Sequence, residues 1–325
     1  MSTDATTVNF SAGSRIVRCP AGQIDASGPW LFWTAQPRAV LRRSVERHGQ
    51  LLPVLVDWSG QGPVLLAGAA RTACLVGLGR DVACLDMGRL DAWEKGLVYV
   101  RSNADRDLSD GQIVKALRYF QRLDPGRTGD VHEELGLEPR SRRERLVVEW
   151  LSLPVMWDRF LQEGHAPLAC ADLLAGFGPD GLEMLAPLFE HLSWSRGSAV
   201  NLLTWLQESS VRDGRTIREL MDEAGVEGIL RSDLSPKDAM SRITANVRCL
   251  RFPRLSRMEQ DFAATARTIA AGTRWRLIQP DQFESGKVEL SVAVGGLSGL
   301  HTAAQDLVRM ASHEGWGALF SGDDR

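Results

Sequence analysis

Leu65–Leu75 reads LLAGAARTACL. Three apolar residues run into Gly68, and a helix-forming run follows with one cation, Arg71, near its start. Strand, glycine and cation-bearing helix make the layout of an anion cradle. The first N–H groups of a helix lack intrahelical partners, and its dipole puts positive charge at that end. With one arginine and no lysine, the stretch fits no P-loop. The competing reading is a strand–helix joint in which Arg71 pairs with a local carboxylate.

The flanks extend the pattern. Arg15–Arg18 reads as a strand, and Pro37–His48 as a helix with Val40, Leu41 and Val45 at helical spacing and Gly49 as its stop. Leu52–Asp57 (LPVLVD) is rich in β-branched residues, and Trp58–Pro63 turns the chain back into Val64–Ala67 as a hairpin. A helix over about Ala69–Leu78 and a strand at Val82–Asp86 complete a small mixed α/β domain.

From Leu90 the pattern turns helical. Asp91-x-x-Glu94 and Ser109-x-x-Gln112 have capping-box spacing, with the polar joint RSNADRDL between the helices they open. Helices dominate to about Leu250, interrupted at Pro139, Pro154, Pro179 and Pro236, and Ser235-Pro236 starts one with proline at its first position. Beyond Pro253 the order is helix (about Leu255–Ala271), hairpin (Trp275–Ile278 and Val288–Val294) and helix (about Ser298–Ser312). The fold class read from this order is α+β multidomain. It has a tail over 1–14 expected to be disordered, an α/β domain over 15–123, a helical domain over 124–250 and an α-β-β-α unit over 251–325.

The bulk numbers agree. Length 325, hydrophobic content 44% and charged content 24% suit a packed soluble protein of more than one domain. A net charge of −3 argues against a wholly basic coat for nucleic acid and leaves room for a local basic patch. The five cysteines form no C-x-x-C pair, so neither a zinc ribbon nor a disulfide framework is indicated, and a reducing cytoplasm fits best. The first residues do not have the form of a signal peptide, and no run of 18 apolar residues suggests a membrane span. The six histidines show no metal-ligand spacing, and no nucleophile elbow or two-metal carboxylate cluster is visible.

HGQLLPVLV, a hairpin, AGAARTACLVGLGRDV and then SNADRDLSD before a helix together resemble the N-terminal domain of the ParB/sulfiredoxin-like superfamily, in its ParB partition-protein branch. The likeness covers roughly Arg15–Leu123. Gly49, Pro53, Val54, Gly68, Arg71, Gly79, Asn103, Arg106 and Leu108 stand on matching positions. The resemblance implies two boxes that face each other around a nucleotide triphosphate, CTP with Mg²⁺, held here by Gly68, Arg71, Asn103 and Arg106. The chain departs from the pattern at Ala69 and Ala70, where the family has an acid and an arginine, and at Ser102, where it has a glutamate. These losses argue against hydrolysis, so no catalytic residue is assigned. The sulfiredoxin alternative needs a cysteine directly after the glycine. That position is Ala69, and Cys74 lies more than a helical turn further on.

VHEELGLEPRSRRERLVVEWLSLP resembles the helix-turn-helix region of the same family. Arg140, Arg142, Arg143 and Arg145 stand where a recognition helix would begin, placed to neutralise phosphates and reach guanine edges. The bland alternative is a solvated helix face with Glu144 and Glu149 as partners. Trp150, Trp157, Trp194 and Trp205 are expected in cores. The resemblance implies double-stranded DNA as partner and a homodimer, in a cytoplasmic partition or regulatory protein. The competing function is an interaction scaffold, with a protein partner, that kept the fold and lost both sites.

Overall fold

Gly68 is where the sheet of the first unit passes into a helix, and the chain around it follows the expected order. In the computed structural model, residues 15–33 and 36–320 are described. The expected disordered tail, 1–14, lies outside the described residues. The chain divides into two compact units, Met1–Leu203 and Thr204–Arg325.

The first unit opens with β1 (Arg15–Pro20), α1 (Ala39–His48), the hairpin β2 (Val54–Asp57) and β3 (Val64–Ala67), α2 (Ala69–Gly77) and β4 (Asp81–Asp86). The sheet order is β1-β4-β2-β3. β4 runs antiparallel to β1 and parallel to β2, with Val54 opposite Cys84 and Val56 opposite Asp86. Val54, Val56, Leu65, Leu66, Val82 and Cys84 are fully buried. Such β-branched and apolar residues suit the interior strands of a covered sheet. In α1 the expected apolar stripe is only partly realised: Val45 is buried, whereas Val40 is 69% exposed.

Both capping boxes form. Asp91 accepts from Glu94 N–H at the start of α3 (Ala92–Arg101), and Ser109 accepts from Gln112 N–H at the start of α4 (Asp110–Leu123). An aromatic cluster that the helical periodicity does not show ties these helices to the chain after β1. Phe32 packs against Tyr99, Tyr119 and Phe120, and Trp93 meets Phe120 edge-on at 4.8 Å. Trp30 Nε1 donates to Leu65 O of β3 (2.9 Å), and Trp33 Nε1 to Gln112 O of α4 (3.2 Å).

Two 3-10 segments, Pro125–Val131 and Glu133–Leu135, lead to α5 (Arg142–Trp150). Next come α6 (Trp157–Gln162), α7 (Ala171–Ala175), α8 (Gly178–Glu190), which carries Pro187 inside it, and α9 (Arg196–Asp213), within which the unit boundary falls. Trp150, Trp157, Phe160 and Phe189 are fully buried there, and Trp194 is buried with its Nε1 on Leu188 O. The core expectation holds for these tryptophans.

The second unit continues with α10 (Ile217–Glu223), α11 (Val226–Leu230), α12 (Pro236–Arg251), α13 (Pro253–Ile269), the antiparallel strands β5 (Arg276–Ile278) and β6 (Glu289–Ser291), α14 (Leu297–Ala311) and α15 (Trp316–Phe320). Ser235 caps α12 with Pro236 in its first turn, as the sequence indicates. Trp205 is half-buried rather than in a core, and meets Phe252 edge-on at 6.1 Å. β6 is shorter than the apolar run suggests, because all three of its residues are exposed and no second layer covers them. Among the described residues, no helix is long and apolar enough to cross a membrane.

Candidate functional site

Gly68 ends β3 and caps α2 with φ 106° and ψ 21°. This left-handed backbone favours glycine. A Cβ here would also lie 2.7 Å from Val54 Cγ1 on the neighbouring strand. The Gly68 carbonyl then receives the N–H groups of Arg71 (2.9 Å) and Thr72 (3.0 Å). No side chain caps this helix start, and no acid lies in its first turn.

Among the described residues Arg71 pairs with no carboxylate, which corrects the joint reading of this stretch. Its Nη1 donates to the carbonyls of Leu52 (3.0 Å) and Pro53 (2.8 Å), just ahead of β2. Those carbonyls precede the sheet ladder, so the guanidinium serves them as a cap. Burial alone holds the Arg71 pKa below its ordinary value. Nε and Nη2 make no hydrogen bond within the described residues, so one edge of the guanidinium fork stays open.

Asn103 and Arg106 follow the C-terminus of α3. Asn103 Nδ2 donates to Tyr99 O (2.8 Å), and Arg106 N–H to Asn103 O (3.0 Å). The Arg106 side chain is exposed, and its charge is felt at the Tyr99 phenol, which accepts from Trp33 N–H. Ser102 Oγ donates back to Val98 O. Thus Gly68 is joined to Arg71 and Asn103 to Arg106, and no hydrogen bond or ion pair links the two pairs. Among the described residues, no group of three His, Cys, Asp or Glu could hold a metal ion. None of Gly68, Arg71, Asn103 and Arg106 is a carboxylate.

The arginine run has a sharper geometry. Arg140 takes a left-handed φ of 63°, unusual for a non-glycine residue, and its N–H donates to Glu144 Oε2 (2.6 Å). Ser141 caps α5 by accepting from Glu144 N–H (3.1 Å). His132 Nδ1 meets Glu144 Oε1 at 2.8 Å. Glu144 therefore ties the preceding 3-10 segment and the turn to the start of α5. Among the described residues no arginine guanidinium of the run pairs with Glu144 or Glu149; the face is solvated as the alternative has it, but its carboxylate partners are Asp110 and Asp172. The hydrogen bonds from His132 and from Arg140 N–H hold the Glu144 carboxyl below its ordinary value.

Arg143 pairs with Asp110 (2.8 Å) and reaches Leu108 O, while Arg145 pairs with Asp172 (3.2 Å). Both pairs are exposed. The side chains of Arg140 and Arg142 are exposed and have no partner among the described residues. Arg140, Arg142 and Arg145 line an open hollow of about 610 Å³ with Val148, which is 49% exposed. Sequence reasoning missed His132 and the left-handed Arg140. The positive φ leaves no trace in the residue type, and His132 lies 12 positions from Glu144.

No family model matches the sequence, and no curated protein matches it. Solved structures do. The chain is similar to the C-terminally truncated chromosome-partitioning protein ParB from Caulobacter crescentus complexed to the centromeric parS site, at 18% identity over 58% of this chain and 98% of that one, with a TM-score of 0.35. The same protein complexed with CTP-gamma-S matches at 21% identity over 55% of this chain and 99% of that one, TM-score 0.22. A Pnob8-like ParB-N domain matches at 14% identity over 76% of this chain and 97% of that one, TM-score 0.37.

Proposed function

We propose that this chain is a ParB-like DNA-binding protein of partition or regulatory type, and that the start of α5 is its DNA-contacting element. The observation that carries the reading is the state of the four arginines. Among the described residues the side chains of Arg140 and Arg142 have no partner, and those of Arg143 and Arg145 are held only by exposed ion pairs and one carbonyl. Exposed ion pairs are worth about 0–1 kcal/mol, so phosphates can displace them. Left without anions, four arginines over 140–145 repel one another. A duplex relieves this by exchanging its counterions for them.

In this proposal the three-part division keeps its roles: 15–123 for nucleotide, 124–250 for DNA in the manner of a helix-turn-helix, and 251–325 for pairing with a second copy. The open edge of Arg71 favours a weak nucleotide site formed with Gly68, Asn103 and Arg106. The commitment of its Nη1 to carbonyls, with Ala69, Ala70 and Ser102 in place of polar family residues, opposes turnover of CTP. For pairing, the C-terminal unit exposes Leu297 (73%) and Val308 (71%) on α14.

The test is fluorescence anisotropy of a labelled duplex across a NaCl series. Binding at low salt that falls steeply as salt rises, and that weakens on Arg142→Ala, supports the reading. No retained duplex at low salt removes it and leaves the interaction scaffold. Calorimetry with CTP and Mg²⁺, with and without DNA, decides the nucleotide part.

A further inference from the structure

Helix α1 carries a positive charge that nothing else among the described residues answers. Arg38, its N-cap, and Arg42, Arg43 and Arg47 within it stand against a single carboxylate, Glu46, in a chain whose net charge is −3. All four arginines are exposed, and among the described residues no guanidinium of the four has a hydrogen-bond or ion-pair partner. The placement works against the helix. Arg38 and Arg42 lie at the positive end of its dipole, where an acid would stabilise and none is present. Arg43 and Arg47 are one turn apart and repel.

The chain that follows is fixed and apolar. Val45 buries the inner side of α1, and Arg80 Nη1 donates to the Val45 carbonyl at 3.1 Å. Gln50 locks onto β4: its Nε2 donates to Ala83 O (2.8 Å) and its Oε1 accepts from Ala83 N–H (2.6 Å). Two residues on, Arg71 grips the carbonyls of Leu52 and Pro53. Between these anchors Leu51 is 76% and Leu52 67% exposed. The backbone is tied on both sides of them, so their exposure belongs to the fold and not to slack chain. Leu51 follows Arg47 by four residues, which keeps the two Cα atoms within about 14 Å.

We propose that α1 and the Leu51–Leu52 corner form a docking surface for an acidic amphipathic helix of a partner protein. Carboxylates of that helix pair with Arg42, Arg43 and Arg47, a match to which the planar guanidinium fork is suited. Its apolar residues cover Leu51 and Leu52. Two other anionic surfaces fit less well. The phosphate backbone of a duplex gives the leucines nothing to bury against. An anionic membrane takes an amphipathic helix by its apolar side, and on α1 that side carries Val45, already packed inside the protein. The surface shares no side chain with the arginines of α5 or with Arg71.

The experiment titrates the full chain into a fluorescein-labelled synthetic peptide of about five helical turns, with Glu and Leu set at helical spacing, and follows anisotropy. The same composition in scrambled order, a labelled duplex and phosphatidylserine vesicles are titrated in parallel. The ordered peptide should bind about tenfold more tightly than the scrambled one. Arg43→Gln with Arg47→Gln should weaken it about tenfold, and Leu51→Ser with Leu52→Ser about three- to tenfold, the scale of losing an ion-paired or a small apolar contact. All four side chains are exposed, so both variants keep the fold, which circular dichroism checks. Arg142→Ala should bind the peptide as the parent does, so this surface and the DNA reading fail separately. Equal binding of ordered and scrambled peptide, or unchanged binding by either double variant, overturns the proposal. So does a dependence on α1 seen with the duplex or the vesicles in place of the peptide.

Discussion

Arg118 on α4 and Asp158 on α6 form a buried ion pair, Nε to Oδ2 at 2.9 Å, inside the helical part of the first unit. The guanidinium also donates to Leu151 O (2.7 Å), Leu153 O (2.8 Å) and Trp150 O (3.4 Å), where α5 ends. Trp150 Nε1 donates to the same carboxylate (3.2 Å). One arginine thus caps carbonyls at and just past the end of α5, the helix that carries the arginine run.

Asp158→Ala should therefore destabilise the first unit strongly. It leaves a charge buried among carbonyls, and breaking such a pair costs about 3–5 kcal/mol. Chemical denaturation with matched m-values measures the loss. A cost below about 1 kcal/mol, the level of an exposed pair, would contradict the assignment.

Arg142→Ala and Arg140→Ala should each weaken duplex binding and lower the salt slope by about one counterion. Neither should change thermal stability, because neither side chain has a partner within the described residues. Arg143→Ala should also lower affinity, with a small stability change from its exposed Asp110 pair. A uniform loss across duplex sequences marks a phosphate contact, and a sequence-dependent loss marks a base contact.

Gly68→Ala should destabilise the α/β part by more than about 1 kcal/mol, from an unfavourable φ and a Cβ driven against Val54. The same change at Gly49, where a Cβ meets nothing within 4 Å, carries only the backbone cost. Chemical denaturation of Gly68→Ala against the parent measures the loss, and a loss below about 1 kcal/mol contradicts it.

The turn into α5 should loosen in acid. Glu144 has its carboxyl held below its ordinary 4.5, first by His132 and then by Arg140 N–H. A depressed folded value means that the contribution is complete above 4.5 and is lost as the pH falls through the lower, folded value. Stability of the parent relative to Glu144→Gln, followed from pH 6 down to about pH 3, should converge at the acid end, within the span such carboxyl groups titrate. Parallel curves would show that the carboxylate is not engaged.

Much of the fold is legible because its signals are local. Asp91 with Glu94 and Ser109 with Gln112 announce helix starts three residues apart, and both boxes form. LPVLVD and VLLA alternate with turn residues, and they pair as a hairpin. The weaker readings involve periodicity without burial: Val40 keeps helical spacing but faces solvent, and the run after Val288 yields only a short strand. At the candidate sites, the positions of Gly68 and Arg71 are readable, but what Arg71 touches is not. Its acceptors are backbone carbonyls 18 and 19 residues earlier, and backbone atoms carry no residue code.

The sequence by itself determined the order of elements, the helix caps, the glycine at the β3–α2 joint and the cluster of arginines at the start of α5. These depend on neighbours within a turn or a hairpin, where propensity, capping and steric limits act. Only the tertiary structure decided which charges are spent and which are free. It gave Arg118 to Asp158, Arg71 to two carbonyls and Glu144 to His132, and among the described residues it left the Arg142 side chain exposed and without a partner. The physical reason is that ion pairing and desolvation depend on distances across packed elements, and those are set by how the helices and strands close on one another.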